Sequence, residues 1–150
     1  MSSEIHGSWL ATVDRKNRVY FPFDLRGQYN QVLYYYIYID PKNPDFSAWC
    51  GFFTHVLSYP IHPYRFVILL PSRPTVNDPN LAWMVNQLNS AKVDRQGRVT
   101  LPDLRRKYGE NVHILGQGKI IEIWPVDEYE RRMTYIAEMY KPSNKFVYDA

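Results

Sequence analysis

The sequence predicts an α+β fold, mostly strands, assembled from two copies of one unit about a pseudo-two-fold. Two observations predict it. Residues 11–22 read ATVDRKNRVYFP and residues 91–102 read AKVDRQGRVTLP, so seven of twelve positions are identical at an offset of eighty: Ala11/Ala91, Val13/Val93, Asp14/Asp94, Arg15/Arg95, Arg18/Arg98, Val19/Val99 and Pro22/Pro102. A repeat of that period in a 150-residue chain marks duplication of a supersecondary unit. Aromatic residues make up 16 % of the chain, thirteen of them Tyr, which suits strands or an extensive contact surface.

Each copy reads strand, turn, strand, then Pro. Ser8 to Val13 and Arg18 to Phe21 flank Asp14-Arg15-Lys16-Asn17, and the second copy places Asp94-Arg95-Gln96-Gly97 at the same point. Asp bonds its own backbone two residues on, and Asn and Gly are the residues that most easily take positive φ. The exchange of Asn17 for Gly97 therefore argues for one shared turn geometry. After Pro22 and Pro102 come short basic segments, Asp24 to Tyr29 and Asp103 to Tyr108, with Phe23 as an extra residue in the first copy. Pro followed by Asp suits the first turn of a short helix.

The second copy continues with a hairpin, Asn111–Leu115 and Lys119–Trp124 around a Gly116-Gln117-Gly118 turn. A helix follows over Glu128 to about Tyr140, with Tyr129, Met133, Ile136, Ala137 and Tyr140 at helical spacing. The first copy is expected to repeat this in altered form. Val32–Ile39 is a strand with Trp49–Phe53 as its partner, Thr54 caps a short turn of helix, and Asp40–Ala48 replaces the tight hairpin with a longer loop. The alternation of Tyr34, Tyr36 and Tyr38 against Tyr35 and Ile37 puts half of this strand in a core or interface. Arg65–Leu70 is a further strand. Asn77 or Asp78 caps a helix that Pro79 opens and that runs to about Asn89 with Leu81, Met84, Val85 and Leu88 on its apolar face. These readings divide one domain, 1–150, into a first repeat (7–58), a connector and helix (59–90), a second repeat (91–140) and a tail (141–150) without periodic pattern.

The formal charge of +3 is only mildly basic, but its distribution is uneven. Lys92 to Lys107 carries +4 and the first copy's Asp14 to Arg26 carries +2, so positive charge gathers on the repeated motif, where an anionic partner would meet it. Cys50 is the single cysteine, which points to a reducing compartment. The first residues lack a signal-peptide pattern and no run approaches a membrane span, so a cytoplasmic protein without membrane association is expected. His6, His55, His62 and His113 show no ligand spacing, so neither a metal nor a cofactor is expected. Ser8, His6 and Asp14 supply the residue types of a catalytic triad without a nucleophile elbow, and no phosphate loop is present, so the chain does not read as an enzyme.

Two copies of Asp-x-x-x-Arg, each followed by a strand and Pro, are accompanied by Gly7, the Asp-Leu-Arg segments, Ile114-Leu115-Gly116 and Glu122-Ile123-Trp124. Together they resemble the MraZ family of the SpoVT/AbrB superfamily over nearly the whole chain. The resemblance implies a double swapped-hairpin AbrB-type β-barrel with flanking short helices, its halves interlocking within one chain. It implies a ring-like homo-oligomer that binds double-stranded DNA sequence-specifically, nucleoid-associated, regulating (usually repressing) its own cluster of division and cell-wall genes. Carried over by position, Arg18 and Arg98 are the DNA contacts. Departures from the family pattern are Asn17 for Gly, the extra Phe23 and the Asp40–Ala48 segment.

Arginine suits that role because its planar fork matches guanine O6 and N7 or a phosphate. Arg15, Lys16 and Arg95 sit on the same turns, and Lys92 and Arg105, with Arg106 and Lys107, are candidate phosphate anchors. Asp14 and Asp94 have a second possible duty, pairing with Arg18 and Arg98 across the turn; holding the turn and orienting the arginine are compatible. Two other classes compete: an interaction scaffold that keeps the fold without DNA recognition, and an antitoxin-like protein whose tail binds a partner.

Overall fold

A computed structural model describes residues 5–140. β1 (Ile5–Thr12) and β2 (Arg18–Tyr20) flank the first Asp-Arg turn. Arg26–Gln28 forms only a 3-10 turn where a short helix was expected. β3 (Val32–Ile39) follows, its Tyr34, Tyr36 and Tyr38 packed into one core and Ile37 and Ile39 into another, as period two requires.

The next segment departs from the sequence expectation. The expected strand Trp49–Phe53 lies instead within a helix, α1 (Phe46–Leu57), so the loop after β3 ends at Asp45, and Thr54 lies inside the helix rather than capping one. Trp49, Phe52 and Phe53 fall on one helical face and are buried together, with ring centroids 5.3–5.7 Å apart. Ser58, at φ 51°, turns the chain out of the helix. Aromatic richness suggested a strand; the three- and four-residue spacing carried the true signal.

β4 (Phe66–Leu70) takes the place expected for Trp49–Phe53 as partner of β3. Its unbroken FVILL run is buried on both faces: Val67 and Leu69 enter one core, Phe66, Ile68 and Leu70 the other. α2 (Pro79–Val85) is capped by Asp78, whose carboxylate accepts the Asn80 N–H at 2.9 Å. It stops four residues short of the expected end because Asn89 already begins β5 (Asn89–Lys92), pairing with Tyr36.

β6 (Arg98–Thr100), α3 (Leu104–Tyr108), β7 (Asn111–Gly118), β8 (Ile120–Pro125) and α4 (Val126–Tyr140) complete the described chain. The β7–β8 turn is tighter than expected. Gln117 pairs with Ile120, leaving Gly118 and Lys119 as a two-residue turn with Gly118 at φ 85°. Gly116 belongs to the strand, where any Cβ would collide with the Ile5 carbonyl of β1.

The main sheet is six-stranded and antiparallel in the order β1-β7-β8-β4-β3-β5, and β2 pairs with β6 in a separate two-stranded ladder. The first strand of each motif pairs with the other half of the chain or across it: β1 with β7, β5 with β3. The expected closed barrel is not formed as one sheet. The edge strands β1 and β5 meet the β2–β6 ladder only through single bridges, Val13–Val19 and Val93–Val99, because each Asp-Arg turn swings the chain away at a tight corner. One core fills the space between sheet and ladder, around Val13, Val19, Val93, Val99, Leu101 and Leu104; the second lies under α1 and α2. No helix among the described residues is long and apolar enough to cross a membrane. The 141–150 tail lies outside the described residues.

Candidate nucleic-acid interface

The two Asp-Arg turns are chemical copies of one another. Asp14 Oδ1 accepts the backbone N–H groups of Lys16 and Arg18, each at 2.9 Å, while Oδ2 accepts Arg18 Nε at 2.6 Å. Asp94 does the same with Gln96, Arg98 and Arg98 Nε at 2.9, 2.9 and 2.7 Å. The backbone closes each turn identically, Asn17 N–H to Asp14 O and Gly97 N–H to Asp94 O, both 3.0 Å. Asn17 and Gly97 stand at φ 66° and 81°, the left-handed region their residue types anticipate.

Burial works to raise the pKa of both aspartates, but three donors on each outweigh it and hold Asp14 and Asp94 below the ordinary carboxylate value. Each carboxylate thus stays charged and holds its arginine through Nε. Stabilising the turn and orienting the arginine are one arrangement.

These turns stand at opposite ends of the β2–β6 ladder. Its register is Arg18 to Thr100, Val19 to Val99 and Tyr20 to Arg98. Alternation buries Val19 and Val99 and sets Arg18, Tyr20, Arg98 and Thr100 on the outer face. Arg18 and Arg98 are therefore diagonal neighbours about a pseudo-dyad through the Val19–Val99 pair. The ribbon is three residues long, ~10 Å. Arg15, Lys16 and Arg95 are exposed on the turns at its ends, and Lys92 is exposed on the last residue of β5.

Arg105 is placed differently from the other predicted contacts. Its guanidinium donates to the Val13 carbonyl at 3.1 Å and pairs with Glu110 at 3.5 Å, and its backbone N–H donates to Asn17 Oδ1 at 2.9 Å. It ties the two repeats together. Arg106 pairs with Asp103 at 3.2 Å, and Lys107 lies 4.8 Å from the Tyr38 ring centre. Arg26 is held by Asp24, whose pKa falls to about 2 through the Arg26 side chain.

Sequence reasoning missed two aromatic neighbours. The Arg98 guanidinium lies 5.7 Å from the Tyr20 ring centre, and that of Arg95 lies 5.2 Å from Tyr29. Only the β2–β6 pairing brings Tyr20 beside Arg98, so a linear pattern carries no sign of it. Of the triad residue types, Ser8 meets the Tyr129 hydroxyl at 3.3 Å and Asp14 is engaged by Arg18. Among the described residues no group of three or more His, Cys, Asp or Glu is placed to hold a metal ion.

Residues 84–146 match the family model described as "MraZ protein, putative antitoxin-like". Over these residues the chain is similar to the MraZ family. The match takes in the end of α2, the whole second repeat and α4. The first repeat lies outside the matched residues, although its Asp-Arg turn is the chemical copy of the one inside them. MraZ is a regulator-type family rather than an enzymatic one. No curated protein matches the chain.

Proposed function

We propose that this protein is a sequence-specific DNA-binding transcriptional regulator, a repressor of the division and cell-wall gene cluster type. The observation that carries the reading is the β2–β6 ribbon, with Arg18 and Arg98 on one face and basic turns at both ends. A two-stranded ribbon fits the major groove, and an arginine fork matches guanine O6 and N7. Arg15, Lys16, Lys92 and Arg95 contact the flanking phosphates and set register without reading bases. In this reading Asp14 and Asp94 position the readers, and Arg105 supports the scaffold.

The strand exchange of β1 with β7 and β5 with β3 supports a swapped-hairpin relation between the repeats. Four phosphate contacts give a salt slope of only roughly −3 to −4 and modest affinity for one copy. A ring-like homo-oligomer facing repeated promoter elements gains by effective concentration, and its occupancy blocks polymerase. Association with the nucleoid follows.

The test is binding of purified protein to DNA upstream of its own gene across a salt series, alongside Arg18→Ala and Arg98→Ala. Salt-sensitive, sequence-preferring binding that weakens by ~1–3 kcal/mol per lost arginine supports the reading. Salt-sensitive binding blind to sequence reduces the protein to a nonspecific binder, and no binding at low salt moves the function to an interaction scaffold.

The family description's antitoxin-like wording favours a second reading, a protein partner. Tyr135, Met139 and Tyr140 at the exposed end of α4 offer it a surface. Stoichiometric co-purification of a small protein that is lost on Tyr135→Ser supports that reading.

A further inference from the structure

The two ends of the ribbon are copies in sequence but not in surroundings. Arg18 faces Thr100 across the ladder, while Arg98 faces Tyr20. The Arg98 side chain is correspondingly half as exposed as that of Arg18, 14 % against 27 %. The flanking turns differ in the same sense. Arg95 lies over the Tyr29 ring with its Nε 3.4 Å from the Tyr29 hydroxyl, whereas Arg15 has no ring over it among the described residues. Tyr108, the residue that answers Tyr29 in the second repeat, is turned inward against Tyr38 and Arg65. Both aromatic supports therefore come from the first repeat and serve arginines of the second.

We propose that Tyr20 and Tyr29 are positioning residues that pre-organise Arg98 and Arg95, so that each protomer reads a non-palindromic element with one rigid and one adaptable half. The inference rests on the DNA-binding reading above. Physically, an arginine held between a carboxylate at Nε and a ring on its face has surrendered its rotamer freedom before DNA arrives, so less is lost on binding and wrong bases are rejected more sharply. Arg18, held among the described residues by Asp14 alone, keeps more freedom and tolerates more bases. Tyr20 is itself 51 % exposed beside Arg98, so ring and guanidinium present to DNA as a unit.

The experiment selects bound DNA from a randomised pool and then measures affinity for single-base variants of the recovered element. The proteins are wild type, Tyr20→Thr, Tyr20→Phe, Thr100→Tyr, Arg18→Ala and Arg98→Ala. The two arginine variants assign each half of the element to its reader. The expected result is that Tyr20→Thr flattens base preference only in the half that Arg98→Ala flattens, with affinity lowered roughly 2- to 5-fold. Tyr20→Phe retains the wild-type profile, and Thr100→Tyr sharpens the half read by Arg18. A merely structural role of Tyr20 predicts an equal loss in both halves with a lowered Tm, and that result overturns the inference. So does a Tyr20→Thr profile identical to that of a base-selective wild type, which leaves the DNA-binding reading standing. A wild type without base preference overturns both.

Discussion

Asn17 accepts the backbone N–H of Arg105 through its side-chain Oδ1 at 2.9 Å, linking the first repeat's turn to the first turn of α3 eighty-eight positions away. The second repeat solves the same problem without a side chain. Gly97 packs directly on the backbone at Leu25 and Arg26, where an added Cβ would stand 3.1 Å from Arg26 N. The Asn/Gly difference between the copies thus follows from what each turn meets in the opposite repeat.

That relationship predicts unequal tolerance. Asn17→Gly keeps the positive φ but removes a cap-like acceptor and costs ~1 kcal/mol. Asn17→Ala adds left-handed strain of a further ~1 kcal/mol. Gly97→Ala meets both the strain and the Arg26 backbone and costs ~2–3 kcal/mol. Urea unfolding ranks the three, and a Gly97→Ala protein as stable as wild type contradicts the packing account.

Asp94 separates the structural from the orienting duty. Asp94→Asn keeps an oxygen for the Gln96 and Arg98 N–H groups and loses the charge, while Asp94→Ala loses all three bonds. The alanine variant costs ~2 kcal/mol at about 1 kcal/mol per unmade backbone bond, and the asparagine variant under ~1, since partly exposed ion pairs contribute little. DNA affinity falls in both, because Arg98 loses its anchor. An Asp94→Asn protein with wild-type discrimination shows that the carboxylate does not orient the reader.

Arg105 is expected to report on stability rather than on DNA. Truncating it to Ala leaves the Val13 carbonyl without its donor at 3.1 Å and severs a tie between the repeats. A loss of ~1–2 kcal/mol in urea unfolding follows. The salt slope of DNA binding stays unchanged, since its nitrogens are already engaged; a slope reduced by about one assigns Arg105 to a phosphate instead.

Local chemistry made much of this legible in the sequence. The Asp-Arg turns, the Asp78 cap and the buried FVILL strand depend on neighbouring residues, and they stand where the pattern put them. Trp49–Phe53 reads as a strand because aromatic residues favour strands, although Trp49, Phe52 and Phe53 already have the helical spacing that places them in α1. Gly116 was read as a turn residue because the close approach of the Ile5 carbonyl is a tertiary fact invisible in the hairpin's own sequence. The candidate site divides similarly. The Asp–Arg pairing across each turn is readable from a four-residue spacing, whereas Tyr20 beside Arg98 depends on a pairing between residues 78 apart.

His113 predicts an acid weakness that the DNA-binding arginines do not share. Its ring stacks on Tyr129 at 4.0 Å between β7 and α4, with Nδ1 buried and unpartnered among the described residues. Burial lowers its pKa below 6.5, only partly opposed by Glu130, and burial with Arg132 lowers that of His62. For a histidine depressed in the fold, the unfolded chain binds the proton more readily. The stabilising contribution is therefore complete above pH 6.5 and lost as pH falls from there through the folded value. Asp14 and Asp94 lose theirs only below their unfolded value of 3.8, so the histidine window is separate. Urea midpoints measured at pH 7.5 and at about pH 5 are expected to fall for wild type. His113→Phe keeps the stack on Tyr129, removes the buried nitrogen and loses part of that decline, with His62 responsible for the remainder. A wild-type midpoint constant across the window, or a decline unchanged in His113→Phe, removes His113 from the explanation.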